Sequence, residues 1–366
     1  MFRTAVLSLV LLAVPVFAQQ SHEFDVSPTA AWADTGVDVA AGDALQISAT
    51  GQLQYANAPQ PNGPAGLSRS FTDLVRVLQL NDAGRGALIG RIGSSSAARP
   101  FLIGEQLTMK APIGGRLFLA VNQSAFDQAT GIYHVTIERT VAATPTAPAN
   151  VTVPPFPQSL LDSIPRRVSD PNGAPGDRVN FIIVGSQEQM QAAFKAAGWV
   201  VVDKTNRDAV VAGLFASVSK QSYVTLPMSE LRLFGRAQDF GYAQADPLRV
   251  VASRHHFRIW KVPEKLAGQT VWAGAGTHDI GFDRDQRNNG VTHKIDPNTD
   301  GERDYIADSL MQTGMVLKAF YLTPADPVRE ARTATGSTFT SDGRTVLIYL
   351  TAGSTQVSSS PASATQ

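Results

Sequence analysis

The segment 254–260, "RHHFRIW", places two adjacent histidines between arginines in a chain that has six histidines in all. If the segment is a β-strand, its side chains alternate between two faces. Arg254, His256 and Arg258 then share one polar face, while His255 falls on the other face among apolar side chains. We therefore expect His255 to be buried as a structural residue. We expect His256 to be the more accessible of the two, beside the arginines and close to an acid.

The histidines around this segment form the main candidate site. Four of the six lie within residues 255–293, and aspartates follow them in "THDIG" and "THKID". In a functional interpretation these side chains converge on a pocket, where histidine and carboxylate divide general acid and base work or hold a divalent ion such as zinc. The arginines would bind an anionic phosphate or carboxylate substrate. The candidate catalytic residues are His256, Asp279, His293 and Asp296; the candidate metal ligands are His256, His278, His293 and Asp279; the candidate substrate-binding residues are Arg254 and Arg258.

A structural interpretation of the same residues stays open. Arginine–aspartate pairs and histidine hydrogen bonds would tie neighbouring strands together, because a buried cationic stripe needs partners. The sequence has no H-E-x-x-H zinc motif, no G-x-S-x-G nucleophile turn, no G-x-x-x-x-G-K-[ST] phosphate loop and no cysteine. The residues therefore permit a hydrolase without naming its reaction.

Helical and strand patterns around this segment predict an α+β domain over residues 177–350. Helix starts are marked by capping boxes, in which Ser or Thr is followed three residues later by Glu or Gln. The boxes are Ser186 with Gln189 and Thr299 with Glu302, a further helix is expected at 207–217, and a final hairpin is expected to turn at Asp342-Gly343.

This half, from about 164 to 350, resembles the LssY C-terminal domain family. The matching blocks are "VGSQEQMQAAFKAAGW", "LFGRAQDFGYAQ", "SRHHFRIWKVP", "VWAGAGTHDIGFDRDQRNNGVTHKIDPNTDGERDY" and "TATGSTF". In that family the domain is often attached to a membrane-bound module of the lipid-phosphatase type, which this sequence lacks. The resemblance names a domain but no reaction.

A proline-rich segment, 141–176, separates this half from the first and contains eight of the 22 prolines. Proline fixes φ and removes a hydrogen-bond donor, so the segment is expected to be a stiff, extended connector. Residues 22–140 consist of short alternating runs between turn residues, which predicts an all-β sandwich. Strands are expected in the runs at 44–55, 86–93, 116–123 and 131–140.

The first half resembles the PA-IL-like bacterial galactose lectins. The resemblance is carried by "WADTGVDVAAGDALQISATGQLQY", "GALIGRIG" and "LFLAVNQSAFDQATGIYHVTI". It implies a β-sandwich in which a calcium ion coordinates sugar hydroxyls through a tyrosine and an Asn-Asp…Asp-Asn-x-Gly loop.

Only part of that calcium set is present. Tyr55, Asn122 and Asp127 match the family pattern, and the glycine of the loop is kept as Gly131. An amide, Gln123, stands where the family has an acid, and the paired loop positions read Gln128 and Ala129. Calcium prefers charged oxygen ligands. We therefore interpret the calcium and sugar site as degraded.

The two ends of the chain predict an exported protein. Residues 1–20, "MFRTAVLSLVLLAVPVFAQQ", have an early arginine, an apolar run and a small-residue pattern, the layout of a signal peptide cleaved after Ala18. That run is too short to span a bilayer. We expect the mature chain to be periplasmic or extracellular and not transmembrane. Residues 351–366 have the composition of a disordered tail.

Charge and cysteine content narrow the possible partners. The formal net charge is zero, which argues against nucleic acid as a partner, and the absence of cysteine means that burial alone must hold an exported chain together. Two functions stay open. The first is a secreted or periplasmic hydrolase acting on an anionic substrate. The second is a non-catalytic cell-envelope protein whose sandwich binds a glycan or whose other half docks another envelope component.

Overall fold

A computed structural model describes residues 19–29, 31–68, 78–80, 82–124, 127–142, 152–202, 228–245, 253–284, 291–333 and 336–351. Over these ranges the protein is mostly β-structure, arranged in several sheets with three helices. None of those helices has the length and apolar character needed to cross a membrane. The expected signal peptide (1–18), the helix at 207–217 and the tail beyond 351 lie outside the described residues.

The first eight strands form two four-stranded sheets. They are β1 (Gln19–Val26), β2 (Ala33–Val39), β3 (Ala44–Tyr55), β4 (Leu88–Ile92), β5 (Phe101–Leu102), β6 (Gln106–Lys110), β7 (Gly115–Val121) and β8 (Ala129–Thr140). The sheet orders are β1-β8-β3-β6 and β2-β7-β4-β5. The inward side chains of both sheets pack into one core, including Leu45, Ile47, Leu117 and Leu119. The four strands expected from alternation correspond to β3, β4, β7 and β8.

The C-terminal part of the expected connector is folded. It contains α1 (Gln158–Ser163), β9 (Arg167–Ser169) and β10 (Pro175–Arg178). Leu161 and Ile164 are buried in a hydrophobic core, because the prolines here alternate with apolar residues that a neighbouring sheet can cover. The prediction of an extended connector over all of 141–176 is therefore wrong for its second half.

An eight-stranded sheet follows, flanked by two longer helices. Its elements and their neighbours are β11 (Phe181–Val184), α2 (Gln187–Ala196), β12 (Val200–Val201), β13 (Arg232–Leu233), β14 (Arg236–Ala237), β15 (Phe240–Ala245), β16 (Ser253–Leu266), β17 (Gln269–Arg284), β18 (Val291–Ile295), α3 (Thr299–Met311), β19 (Val316–Leu322), β20 (Glu330–Arg332), β21 (Thr338–Thr340) and β22 (Thr345–Leu350). The order is β12-β15-β16-β17-β11-β22-β19, with β18 paired to β17.

Both faces of this sheet are covered at its centre. On one face, Phe257 and Ile259 of β16 pack in a core with side chains of α2 and α3, including Phe194 and Ile306. On the other face, Trp260 of β16 packs in a core that also contains side chains of α1. Alternate residues of β16 are thus buried on opposite sides. This double burial decides where the two histidines lie.

Two local predictions from the sequence are corrected by the pairing. The final hairpin is wrong, because β22 pairs in parallel with β11 and antiparallel with β19, while β21 pairs with β20. The second capping box is also wrong, because α3 begins after Asn298, whose side chain accepts a hydrogen bond from Gly301 N. The first box, Ser186 with Gln189, is confirmed at the start of α2.

Candidate functional site

The register of β16 on β17 divides the predicted site between two faces of the sheet. Arg254 pairs with Asp279, His255 with His278, and His256 with Thr277. Residues paired in this way project to the same face, and successive pairs alternate between faces. Asp279 therefore lies with His256, and His278 lies on the opposite side of the sheet. Of the four predicted metal ligands, His256 and Asp279 thus lie on one face and His278 on the other, while the side chain of His293 is outside the described residues.

One face carries a buried group that we call the arginine network, made of Arg254, His256, Arg258, Asp279 and Asp177. Arg254 donates through Nη2 and Nε to Asp279 Oδ2 at 3.2 and 3.3 Å. The Nδ1 atom of His256 lies 3.5 Å from the same oxygen. Arg258 Nη1 lies 3.8 Å from Asp177 Oδ2. The arginines expected to bind substrate are thus engaged with carboxylates of the protein.

Burial sets the electrostatics of the arginine network. His256 is 5% exposed, so the expectation that it would be the accessible histidine is wrong. The physical reason is that β10 and the segment before β13 lie over this face, where Ser229 O accepts from Arg258 Nε at 3.0 Å. Burial also raises the pKa of Asp279 to about 6, although Arg254 opposes the shift. The structural interpretation of the arginines fits these contacts.

The other face carries what we call the histidine stack, made of Tyr305, His255, His278 and Glu302. The His255 ring lies flat between two others, with centroids 3.7 Å from Tyr305 and 4.2 Å from His278. Glu302 Oε2 lies 2.6 Å from His255 Nδ1. His255 was predicted to be a buried structural residue that contacts an oxygen. It does contact one, but its side chain keeps 12% exposure and that of His278 keeps 18%.

Two residues of helix α3, Glu302 and Tyr305, contact His255. Glu302 and Tyr305 are three positions apart, so they lie on one face of the helix. Glu302 is buried together with Ile306 on that face. The close approach of α3 depends on Gly276 of β17, since a Cβ there would lie 2.4 Å from Ile306 Cδ1 and 3.3 Å from Glu302 Cγ. Packing against α3 therefore explains the glycine at position 276, while Gly274 in the same strand packs against Phe181 of β11.

Asn180 joins the same strand to the start of α3. Its side-chain amide donates to Gly276 O at 2.9 Å and to Thr299 O at 3.3 Å, and its Oδ1 accepts from Gly276 N at 2.9 Å. The hydroxyl of Tyr305 donates to Gln244 Oε1 at 3.2 Å, which fixes the position of the ring. The histidine stack is thus built on two strands and a helix that are fixed to each other.

The surroundings of the Glu302 carboxyl disfavour its charged form. Its side chain is 1% exposed. Burial raises the pKa of Glu302 well above its ordinary value, and repulsion from Asp279 and Asp296 raises it further. When ionised, a carboxyl with a raised pKa is a stronger base than an ordinary glutamate, so it can share a proton with the histidine nitrogen that it meets, as groups in general acid–base catalysis do. The sequence assigned Glu302 to a helix cap and missed this contact.

The remaining predicted residues lie around the stack. Asp296 N donates to His278 O at 2.8 Å, and Asp296 Oδ2 lies 3.9 Å from His278 Nδ1. His293 is placed on β18 opposite Phe282, and its side chain lies outside what the structure describes. Among the described residues, no three histidine or acidic side chains are arranged to hold a metal ion. The described geometry is that of an acid–base pair.

The calcium set expected in the first sandwich does not fit a calcium ion. Asp127 Oδ1 accepts from Arg85 Nη1 at 3.0 Å. Asn122 Oδ1 faces the backbone and accepts from Leu80 N at 2.9 Å. The Tyr55 hydroxyl donates to Gln123 Oε1 at 2.9 Å. All three side chains are therefore engaged in hydrogen bonds within the protein, and a guanidinium already neutralises the carboxylate.

Comparisons with known proteins find a family model that matches the second half of the chain and a solved structure with a limited likeness to this chain. A family model described as "LssY C-terminus" matches residues 161–345. No curated protein matches the chain. A solved structure titled "EclA N-terminal domain; PllA-like lectin" is similar at 19% identity, over 32% of this chain and 95% of that chain, with a TM-score of 0.26. The matched family segment contains β16, β17 and α3, and therefore the whole histidine stack.

Proposed function

The chain belongs to the LssY C-terminus family, and we propose that its histidine stack is the active site of a hydrolase acting on an anionic ester. One observation carries the proposal: the buried Glu302 carboxyl meets Nδ1 of the partly exposed His255 at 2.6 Å. A carboxylate against one ring nitrogen fixes the orientation of an imidazole and stabilises its protonated form. That is the arrangement required for proton transfer during hydrolysis.

The proposed roles follow from which atoms are engaged. Nδ1 of His255 faces Glu302, so proton exchange with the reactants goes through Nε2. His255 accepts a proton from the attacking water, and Glu302 stabilises the imidazolium that forms. The same proton then passes to the leaving-group oxygen as the ester bond breaks. Tyr305 stacks on the ring and keeps its plane fixed during both transfers.

We also propose an anionic substrate, as expected from the sequence, but we assign its binding to a residue other than the two arginines. Arg254 and Arg258 are paired with Asp279 and Asp177 inside the protein. On the face of the stack, His278 is 18% exposed and lies directly beside His255. A protonated imidazole donates hydrogen bonds to phosphate or carboxylate oxygens. We therefore assign substrate binding to His278 and proton transfer to His255 with Glu302.

Turnover of chromogenic esters tests this assignment. The panel contains p-nitrophenyl phosphate, bis(p-nitrophenyl) phosphate and p-nitrophenyl acetate, so that charged and neutral esters share one leaving group. His255→Gln and Glu302→Gln should each lower kcat by about 10²–10⁴-fold, the usual range for a lost general acid or base. His278→Gln should raise KM for the phosphate esters more than for the acetate.

A matched control comes from the first sandwich, where His134 Nδ1 meets Asp25 Oδ1 at 2.7 Å on the surface. His134→Gln should leave turnover unchanged, with circular dichroism confirming the fold of every variant. Absence of turnover of all three esters by the wild-type protein would rule out the hydrolase. So would equal activity of wild type, His255→Gln and Glu302→Gln.

Further proposals concern organisation and location. We infer two domains, a β-sandwich over 22–140 and an α+β domain over 177–350, supported by a core in the first part whose buried residues, among those described, run from Val26 to Ile137. We also propose export through a signal peptide. N-terminal sequencing of protein from the periplasm or medium should then find Gln19 as the first residue. A zero formal net charge supports the absence of nucleic acid as a partner.

A second candidate function is binding of an envelope glycan by the sandwich. The observation that favours it is a cavity of about 480 Å³ lined by Gln123, Ser124 and Gln128, among others. Amide and hydroxyl groups are suited to sugar hydroxyls. A glycan array with and without calcium tests this candidate. Silence across all sugars in both conditions would remove it.

A further inference from the structure

Arg85 lies where three loops meet at one end of the first sandwich. It is 7% exposed. Its Nη1 donates to Asp127 Oδ1 at 3.0 Å, in the loop between β7 and β8, and to Asn57 Oδ1 at 2.9 Å, just after β3. Its Cζ lies 4.3 Å from the centroid of the Tyr55 ring at the end of β3. One guanidinium thus contacts a carboxylate, an amide and an aromatic ring.

The carboxylate that it meets is fully used. Asp127 has a side chain only 4% exposed. Its second oxygen, Oδ2, accepts from Ser124 N at 3.0 Å and from Ser124 Oγ at 2.8 Å. A buried carboxylate needs a cation close by or it destabilises the fold. Arg85 is that cation.

The geometry points to Arg85 as a built-in cation that takes the structural place of a calcium ion in this sandwich. Arginine suits the role because its planar guanidinium stays charged, offers several donors and stacks on aromatic rings. From the loop before β4, Arg85 contacts the two segments that carry the calcium ligands implied by the resemblance, the end of β3 and the loop between β7 and β8. The sandwich should therefore fold, and bind any ligand at this end, without calcium.

The contacts of Arg85 involve no residue of the histidine stack, so its role is independent of the proposed hydrolase. We expect the full-length wild-type protein to bind no calcium in equilibrium dialysis. We also expect the same thermal unfolding curve in millimolar calcium chloride and in excess EGTA. A calcium-dependent shift of that curve, or one bound calcium per chain, would overturn the inference.

Variants test whether Arg85 itself performs the role. Arg85→Ala should lower the unfolding temperature by about 10 °C, as expected when a buried charge pair in a small domain is broken. Hydrogen–deuterium exchange should then rise in the segments around Asn57 and Asp127. Arg116→Ala is the matched control, because Arg116 also pairs with two carboxylates, Asp34 and Asp38, but on the exposed surface. It should change neither measurement appreciably.

Arg85→Lys keeps the inference testable if Arg85→Ala does not fold. The ammonium retains the charge and loses the planar fork, so its unfolding temperature should fall less than that of Arg85→Ala and remain independent of calcium. A lysine variant as unstable as the alanine variant would contradict the role of charge. An alanine variant indistinguishable from Arg116→Ala would contradict the inference altogether.

Discussion

On one face of β16, Arg254 and His256 are buried against Asp279; on the other, His255 is stacked between two rings and touches Glu302. Histidine meets a carboxylate on each face: His256 meets Asp279 of β17, and His255 meets Glu302 of α3. On the first face the guanidinium of Arg254 also pairs with the carboxylate. On the second face, the ion-pair partner of Glu302 among the described residues is His255. The first arrangement ties two strands together, and for the second we propose proton exchange with a substrate.

The two adjacent histidines lie in different surroundings. Neighbouring side chains of a strand project to opposite faces, so His255 and His256 contact different residues although they are adjacent in sequence. One face of a strand can therefore carry a functional site while the side chains on the other face stabilise the sheet. If this division is correct, substitutions on the arginine network should change stability, and substitutions on the histidine stack should mainly change turnover.

The largest effect is expected from Arg254→Met, which removes the guanidinium and leaves the carboxylate of Asp279 buried without it. Arg254 is 3% exposed and Asp279 is 1% exposed. Breaking a buried pair in this way costs about 3–5 kcal/mol of unfolding free energy. Urea unfolding at pH 7 measures the loss. Arg116→Met on the surface should change little, and Glu302→Gln should cost less than Arg254→Met. A small loss for Arg254→Met would show that the network does not stabilise the sheet.

The buried carboxyl of Asp279 should also make the free energy of unfolding depend on pH. Its pKa is raised to about 6 in the folded protein by burial, against about 3.9 in the unfolded chain. The folded state therefore binds the proton more tightly, and the stability contributed by this group is lost as pH rises from about 4 to about 6. The expected loss is about 2–3 kcal/mol. Across this pH range, the free energy of unfolding should fall less steeply with rising pH in Asp279→Asn than in wild type.

Glu302 provides an internal check on that slope. Burial also raises the pKa of Glu302 well above its ordinary value, so its contribution to stability has the same sign and is lost as pH rises above that ordinary value. Glu302→Gln should remove that second part and leave the part due to Asp279. Identical slopes in wild type, Asp279→Asn and Glu302→Gln would contradict the raised pKa values of both acids.

Local patterns in the sequence carried most of what was predicted correctly. Alternation placed Arg254 and His256 on one face with Asp279 in reach, and the capping box at Ser186 marked the start of α2. Alternation could not show that both faces of β16 are covered, because the cover comes from distant segments such as β10. The relative burial of His255 and His256 was therefore predicted in the wrong order.

Glu302 was missed for a related reason. A glutamate in the first turn of a helix has the same sequence signature whether it caps the helix or faces inward. The only available signal was its spacing from Ile306 and Leu310, which places an acid in line with the apolar stripe of α3. The final hairpin failed because the parallel partner of β22 is β11, more than a hundred residues earlier. Turn residues near Asp342 could not reveal that pairing.

The smallest effect on stability, and a sharp test of the division, is expected from Gly276→Ala. The added Cβ would meet Ile306 Cδ1 at 2.4 Å and Glu302 Cγ at 3.3 Å, so α3 must shift away from β17. Overpacking of this kind costs about 1–3 kcal/mol. The shift also draws Glu302 from His255, so turnover should fall by much more than stability suggests. Gly63→Ala, whose Cβ would find Glu105 Oε1 no closer than 3.8 Å, is the control. Turnover retained in Gly276→Ala despite lost stability would separate the Glu302 contact from catalysis.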